Sequence, residues 1–336
     1  MEKDPKETCE AKQPAVLVVI LNWNGWEGTA AAVDSVLRQD YANFRIRVID
    51  NGSIDESVTR LRAICVDRVE LLELPENRGY TGGCNAGIKH ALATGAQYAW
   101  LFNSDAVCAA KDTLSSLVAL AETDTKIGLV CPRIAEPGEE GRLTFVGGIC
   151  SMHPFLFDFT HDPDEALRWT QQYPQAGAVS GAAMLVKTSA VQDIGMLDES
   201  LFAYFESTDY SYRSSLAGYR NLVDEHSTIW HPQKKEKLNP LAIKPYYWYY
   251  RARNECLFWR KHLGIVRGAR PLWWAFRNTL VKISRCREDR NITDAILAGV
   301  WHGWVGRGGA YRPEYRMPRP LAAAIWKYAL TKAPKP

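Results

Sequence analysis

Asp105 closes the stretch Phe102-Asn103-Ser104-Asp105, directly after the apolar run that begins at Tyr98. A carboxylate at the carboxyl end of a strand lies where open α/β sheets bind ligands. There it can hold a hard divalent ion against a diphosphate. An aspartate after a strand is more often a turn residue or a helix cap, so this one gains meaning from its companions. Val48-Ile49-Asp50-Asn51-Gly52-Ser53 ends another apolar run in the same way. Asn77 to Asn85 contains Gly79, Gly82 and Gly83, which let a backbone approach a ligand closely; a structural turn is the plain alternative. Tyr204 to Tyr210 carries Glu206 and Asp209, one helical turn apart on one face. Glu206 opens a helix predicted over 206–217, whose N-terminus favours its ionised form. Asp209 is also placed for an ion pair with Arg213 at i+4.

The elements that position these side chains follow from the hydrophobic pattern. Ala15–Leu21, Phe44–Ile49, Val69–Leu74 and Tyr98–Phe102 read as strands. Helices are predicted over Thr29–Arg38, Ser53–Ala63, Gly87–Thr94 and Ala110–Glu122, with Ser53 as an N-cap. Alternating strand and helix imply an α/β fold with a mostly parallel, doubly wound sheet. After Ile127–Pro132 the pattern changes, and 133–175 reads as loop. Ala178–Lys187 is a further strand, Ser189–Ile194 a short helix and Leu222–His231 a last strand. From Tyr246 onward the period is helical. The division is a flexible tail over 1–13, a domain over 14–237 and a helical extension over 238–336. The Lys234–Lys237 run reads as a solvated loop.

A chain of 336 residues, 46% apolar, is long enough for one large domain with an appendage. The net charge of +3 conceals an asymmetry. From Tyr246 to the end there are 18 Lys/Arg against 5 Asp/Glu, leaving −10 for the rest. A basic, Trp-rich region beside an acidic body suits a phosphate-bearing surface. The tail interleaves arginines with Pro271-Leu272-Trp273-Trp274 and Trp301-His302-Gly303-Trp304, which suits a membrane interface; packing onto the body is the alternative. No nucleic-acid module is present. The eight cysteines form no C-x-x-C pair and read as buried reduced thiols. The N-terminus lacks the apolar core of a signal peptide, and no run reaches transmembrane length. The expected location is cytoplasmic, with peripheral attachment to the inner face of the membrane as an extension of it.

Taken together, several segments resemble family 2 inverting glycosyltransferases of the GT-A fold. They are Asn22-Trp23-Asn24-Gly25, Val48–Ser53, Asn77–Gly87, Leu101–Asp105, Ser180–Leu185, Gly195–Glu199, Tyr204–Arg213 and His231. The resemblance covers roughly residues 15–262 and is nearest to rhamnosyltransferase-like and galactofuranosyltransferase-like members. It implies a nucleoside diphosphate sugar donor, dTDP- or UDP-linked with dTDP-rhamnose first, and a glycan or lipid-linked glycan acceptor. Donor contacts fall on Asn22, Asp50, Asn77, Gly83, Asn85, Ser104 and Asp105. Asp50 would accept the imide N–H of uracil or thymine. Mg2+ or Mn2+ would be held by Asp105, with His231 as a second ligand favouring Mn2+. Glu206 is the implied base, with Asp209 as an orienting or alternative carboxylate. Gly181, Ala182 and Tyr204 would face the acceptor, with Trp169 and Phe202 as further stacking candidates. Relatives often read Glu-Asp-x-Asp where this chain has Ser207, and Asn103 replaces a metal-site carboxylate. Those changes leave open which carboxylate is the base. They also keep alive a degenerate glycosyltransferase acting as an assembly partner. A sugar nucleotidyltransferase would need a basic loop after the first strand, and Asn22–Gly25 has none. Self-association is left open.

Overall fold

The computed structural model describes residues 13–138, 141–152, 155–232, 240–267 and 269–332. The main sheet starts as expected. Strands β1 (Val16–Asn22), β2 (Phe44–Asn51), β3 (Val69–Leu74) and β4 (Tyr98–Asn103) are joined by helices α1 (Trp26–Leu37), α2 (Ser57–Ala63) and α3 (Gly79–Thr94). They pair in parallel in the order β3-β2-β1-β4. β1 is nearly all buried because helices cover both of its faces, so its sequence is a continuous apolar run. The carboxyl ends of β1, β2 and β4 therefore share one edge. Asn22 is in register with Asp50, and Leu21 with Asn103.

Beyond β4 the sheet is mixed rather than doubly wound. The next elements are β5 (Val107–Cys108), α4 (Thr113–Glu122), β6 (Ile127–Ala135) and β7 (Leu143–Phe145). Then come β8 (Gly147–Met152), β9 (Phe155–Thr160), α5 (Pro163–Gln172), β10 (Gly177–Ala178) and β11 (Ala183–Lys187). α6 (Val191–Ile194), α7 (Glu206–Leu216) and β12 (Arg220–Trp230) complete the body. β11 runs antiparallel to both β4 and β6, and β12 pairs in parallel with β6 and antiparallel with β5. Segment 133–175, expected as loop, contributes β7 to the main sheet's margin and β8 and β9 to a small sheet with β10.

The extension consists of α8 (Pro245–Arg267, broken at Gly264), α9 (Ala269–Arg285), α10 (Arg290–Val305) and α11 (Arg319–Lys332). Tyr247, Trp248, Tyr249, Tyr250 and Trp259 are buried within it or against the body. The Tyr246–Arg251 aromatic run is thus packing core, and Trp273 and Trp304 are exposed. No helix among the described residues is long and apolar enough to cross a membrane. The described cysteines are all free thiols, mostly buried; Cys9 and the Lys234–Lys237 run lie outside the described residues.

Candidate active site

Strand ends and the first turn of one helix build the site. Asn22, at the end of β1, donates from Nδ2 to Asp50 Oδ1 at 2.8 Å and to Ser53 Oγ at 3.1 Å. Its Oδ1 accepts from the Thr29 hydroxyl at 2.7 Å. Asp50 Oδ2 accepts from the Ser53 backbone N–H at 3.0 Å. Asp50 is therefore buried and braces the sheet edge. Each carboxylate oxygen can still accept a second bond, so a base N–H entering over the strand end has an acceptor left. Ser53 is not the N-cap of α2, which begins four residues later. Its hydroxyl instead links Asn22 to the backbone N–H of Asn24.

Asn51 and Asn77 lie next to this brace and face a cleft of about 840 Å3 between the sheet edge and the extension. Asn51 Nδ2 donates to Asn77 Oδ1 at 3.1 Å, and Asn51 Oδ1 accepts from the Arg78 N–H at 3.0 Å. Trp23, Phe202 and Tyr204 line the same cleft, and from the extension so do Tyr246, Tyr250 and Arg316. Trp169 lines a different cavity, against β8 and β12, and is not part of this site.

The glycine segment differs from the sequence expectation. It is the first two turns of α3, not a loop. Gly79, with φ of 73°, lies so close to Phe202 that a Cβ would come within 2.4 Å of its carbonyl oxygen. A Cβ on Gly83 would meet Leu21 Cδ1 at 2.2 Å, and one on Gly87 would meet Val19 Cγ1 at 2.3 Å. These glycines let α3 lie directly on β1. Asn85 is buried, donating to Leu197 O at 2.9 Å and Glu199 Oε1 at 3.0 Å. Gly83 and Asn85 thus act in helix packing, and their assignment to the donor is replaced by that role.

Strand pairing assembles the ion site. β12 pairs with β5 so that Trp230 faces Val107, which brings His231 beside the residues after β4. His231 Nε2 is 3.1 Å from Asp105 Oδ1 and 3.2 Å from Asn103 Nδ2. A single ring nitrogen cannot both accept from that amide and donate to that carboxylate. A cation bound by a neutral Nε2 and the carboxylate removes the conflict once the Asn103 amide is turned over, so that its oxygen and not its N–H meets the ring. Cis ligands of an octahedral ion with bonds of about 2.1 Å are about 3 Å apart, which matches the spacing. Asn103 Oδ1 is also buried without a hydrogen-bond partner, a neutral oxygen that the turned amide would present to this cluster. One carboxylate, one imidazole and one amide fit a divalent ion of the Mg2+/Mn2+ kind, with phosphate oxygens completing its shell. Ser104 contributes backbone: its carbonyl oxygen lies 2.9 Å from where a Gly28 Cβ would stand.

β11 brings in the other half. Asn103 N–H donates to Ala182 O at 2.9 Å, so Ser180–Ala182 lies alongside the ion site. A Cβ on Gly181 would be 3.3 Å from Glu206 Oε1, so the absent side chain leaves room for that carboxylate. Tyr80, in the first turn of α3, donates its hydroxyl to Gly181 O at 2.8 Å. Burial, then the influence of Cys84, Glu206 and Asp105, raises the Tyr80 pKa well above 10. The phenol is a fixed neutral donor between the ion site and Glu206. Sequence reading missed it because a tyrosine near glycines carries no chemical signature.

Glu206 and Asp209, one turn apart on α7, have different surroundings. Glu206 is the first helical residue and faces Gly181. Asp209 is buried at 1% exposure. It accepts from Arg213 Nε at 2.8 Å, Lys261 Nζ at 2.9 Å and His262 Nε2 at 2.8 Å. Burial alone raises its pKa, but the His262 hydrogen bond and the charges of Arg213 and Lys261 outweigh burial and hold it well below the usual carboxylate range. A carboxylate locked to three donors and made less basic is unsuited to take a proton. Asp209 joins α7 to α8, which corrects its placement as an orienting or alternative base.

The segment leading into Glu206 is backbone-strained. Phe202, Tyr204 and Phe205 have φ of 63°, 68° and 71°, each costing about 1–3 kcal/mol in a non-glycine residue. Asn254 and Arg253, buried in α8, donate to carbonyls of this stretch. Their sequence signal was the polar cluster Arg251–Glu255 between the apolar, aromatic runs Tyr246–Tyr250 and Cys256–Trp259.

A parallel sheet edge ending in Asn103 and Asp105, an antiparallel strand beside it and a helical C-terminal region match the GT-A class of glycosyltransferase fold. The profile described as Glycosyl transferase family 2 matches residues 17–195, more than half of the chain, and the protein belongs to that family. The hexosyltransferase Agl10 of low-salt glycan biosynthesis in Haloferax volcanii is 26% identical over 177 residues, covering 50% of this chain and 52% of Agl10. The galactofuranosyltransferase GlfT1 of Mycolicibacterium smegmatis is 31% identical over 130 residues, covering 39% of this chain and 42% of GlfT1. The chain thus spans about half, or less, of these relatives. Among solved structures, the mannosyltransferase PcManGT of Pyrobaculum calidifontis, in complex with GDP-Man and Mn2+, superposes with a TM-score of 0.57 at 17% identity. That match covers 96% of this chain and 87% of PcManGT. TarS 1-349 of S. aureus, in complex with UDP-GlcNAc, gives 0.53 at 14% identity, covering 95% and 88%. At these identities the likeness establishes the fold.

Proposed function

We propose that the protein is a divalent-metal-dependent inverting glycosyltransferase that moves a sugar from a nucleoside diphosphate to a hydroxyl of a glycan or lipid-linked glycan. The observation that carries this is the junction of Asp105 and His231, across Tyr80 and Gly181 from Glu206. Asn51, Asn77 and Trp23 line the nucleoside end, with Asn22 and Asp50 fixing that edge. Asp105, His231 and Asn103 would hold the metal, which when bound neutralises charge on the leaving diphosphate. Glu206 takes the proton of the acceptor hydroxyl as that oxygen attacks the anomeric carbon from the face opposite the diphosphate. Inversion at that carbon follows. Tyr80 donates its hydroxyl proton to Gly181 O and so fixes that backbone between the two groups, and Gly181, Ala182 and Tyr204 border the acceptor side.

The proposed donors are dTDP- and UDP-sugars, dTDP-rhamnose first, by resemblance. The experiment is a panel of nucleotide sugars screened by thermal shift with and without Mn2+, followed by donor hydrolysis and transfer assays. A metal-dependent shift with a dTDP- or UDP-sugar, release of the nucleoside diphosphate and an inverted product are expected. Release of pyrophosphate would point to a nucleotidyltransferase. Donor binding with neither hydrolysis nor transfer would favour the assembly partner suggested by neutral Asn103 and Ser207. For the exposed Trp273 and Trp304 and the basic extension, the proposal is contact with anionic lipid. Cosedimentation with phosphatidylglycerol vesicles, absent with phosphatidylcholine vesicles, tests that.

A further inference from the structure

We propose that Asn254 and Arg253 are positioning residues for the proposed base, holding Glu206 through the backbone that precedes it. The inference rests on Glu206 being the base and goes beyond it to what sets its position.

The stretch Ser200–Phe205 turns repeatedly through left-handed backbone conformations at non-glycine residues. Its carbonyl oxygens are consequently not satisfied by a regular ladder. Asn254 Nδ2 reaches Leu201 O at 2.9 Å, Ala203 O at 2.8 Å and Tyr204 O at 2.7 Å, so its two N–H bonds are shared among three acceptors. Asn254 Oδ1 accepts from Arg253 Nε at 2.8 Å, which sets the amide's orientation. The Arg253 guanidinium donates to Ser200 O at 3.1 Å and Leu201 O at 2.7 Å, and also to Gly309 O. Both side chains are fully buried. The guanidinium lies over the rings of Tyr249 and Tyr250, 5.2 Å and 5.0 Å from their centroids.

This arrangement is poorly suited to stability alone. A charge held among carbonyls and aromatic faces carries a desolvation penalty that an apolar side chain of similar size avoids. It does fix a short backbone path that a strained sequence would otherwise leave. Two consequences follow for chemistry. The clamped residues Ala203 and Tyr204, with Phe202 between clamped Leu201 and Ala203, form a wall of the cleft. The same path ends at Glu206, whose carboxylate must lie within about 2.6–3.2 Å of the hydroxyl it deprotonates. A displacement of about 1 Å there lowers turnover by about 100-fold.

The test is a double-mutant cycle in the full chain. Asn254→Ala, Glu206→Gln and the double variant are compared in hydrolysis of a panel of UDP- and dTDP-sugars, in binding of UDP and dTDP with Mn2+, and in amide hydrogen exchange. Asn254→Ala is expected to lower turnover about 10- to 100-fold with nucleotide affinity within about twofold of wild type. It should cause no further loss in the Glu206→Gln background, because both act through one carboxylate. Exchange at Leu201–Glu206 should rise while the β1–β4 core stays protected. Equal losses in both backgrounds, or unchanged exchange at Leu201–Glu206, overturn the positioning role. A Glu206→Gln variant with wild-type turnover overturns the base assignment instead, a result read from the single variant. Should Asn254→Ala fail to fold, Arg253→Lys, which keeps the charge and loses the planar fork, goes through the same cycle with the same expected and overturning results.

Discussion

The two halves of the site are built by different means. The proposed nucleotide side, from Asn22 to Asp105, consists of strand ends aligned by parallel pairing, braced by neighbours such as Thr29 and Ser53. The proposed acceptor side, from Ser180 to Glu206, depends on contacts with residues far along the chain. Glu206 is approached by strained backbone that Asn254 and Arg253 hold. The Asp209 carboxylate one turn later is tied to Lys261 and His262. The helical extension is therefore part of how the proposed base is positioned. It is not an appendage to a finished nucleotide fold.

The sharpest way to break the comparison is to remove the base. Glu206→Gln should lower turnover by about 10²–10⁴-fold and leave nucleotide binding intact. A loss of nucleotide affinity instead would place Glu206 on the donor side. Next comes the tie between body and extension. Asp209→Asn leaves Arg213 without its counter-charge and Lys261 with Asp198 alone, and should destabilise the fold by about 3–5 kcal/mol, measured by urea unfolding. The pH dependence has a definite sign. Asp209 has a pKa depressed in the folded state, so its contribution is complete above the ordinary carboxylate value of about 4 and is lost as pH falls below it. The stability gap between wild type and Asp209→Asn should therefore narrow below about pH 4; a gap that widens there is inconsistent with the ion cluster. The smallest effect is on the nucleotide side. Gly83→Ala forces α3 off Leu21 and should cost about 1–3 kcal/mol in stability, with UDP affinity in the folded fraction unchanged. Weaker UDP binding at unchanged stability would return Gly83 to the donor site.

The same contrast explains what was legible in the sequence. The first four strands and their parallel pairing could be read because an apolar run ending in Asn or Asp is a local signal and helices alternate with the strands, as at Ile20–Asn22 and Ile49–Asn51. The pairing of Asp105 with His231 was available only through resemblance, since the two residues lie 126 positions apart in sequence. The small sheet inside 133–175 escaped because its strands are short and glycine-rich at Gly147 and Gly148. The α3 start was misplaced because Gly79, Gly82 and Gly83 look like loop residues, whereas Gly83, with Gly87, lets the helix lie on β1 and Gly79 lets it meet Phe202. Asp209 showed its Arg213 partner at i+4, but Lys261 and His262 belong to a helix that no local pattern connects to it.

Anomalous diffraction from crystals soaked with UDP and Mn2+ tests the central claim most directly. The account predicts a manganese peak within bonding distance of both Asp105 and His231, with the diphosphate on that ion and the base against Asn51 and Asn77. Manganese and diphosphate bound away from both ligands, with the Asp105–His231 contact undisturbed, would contradict it.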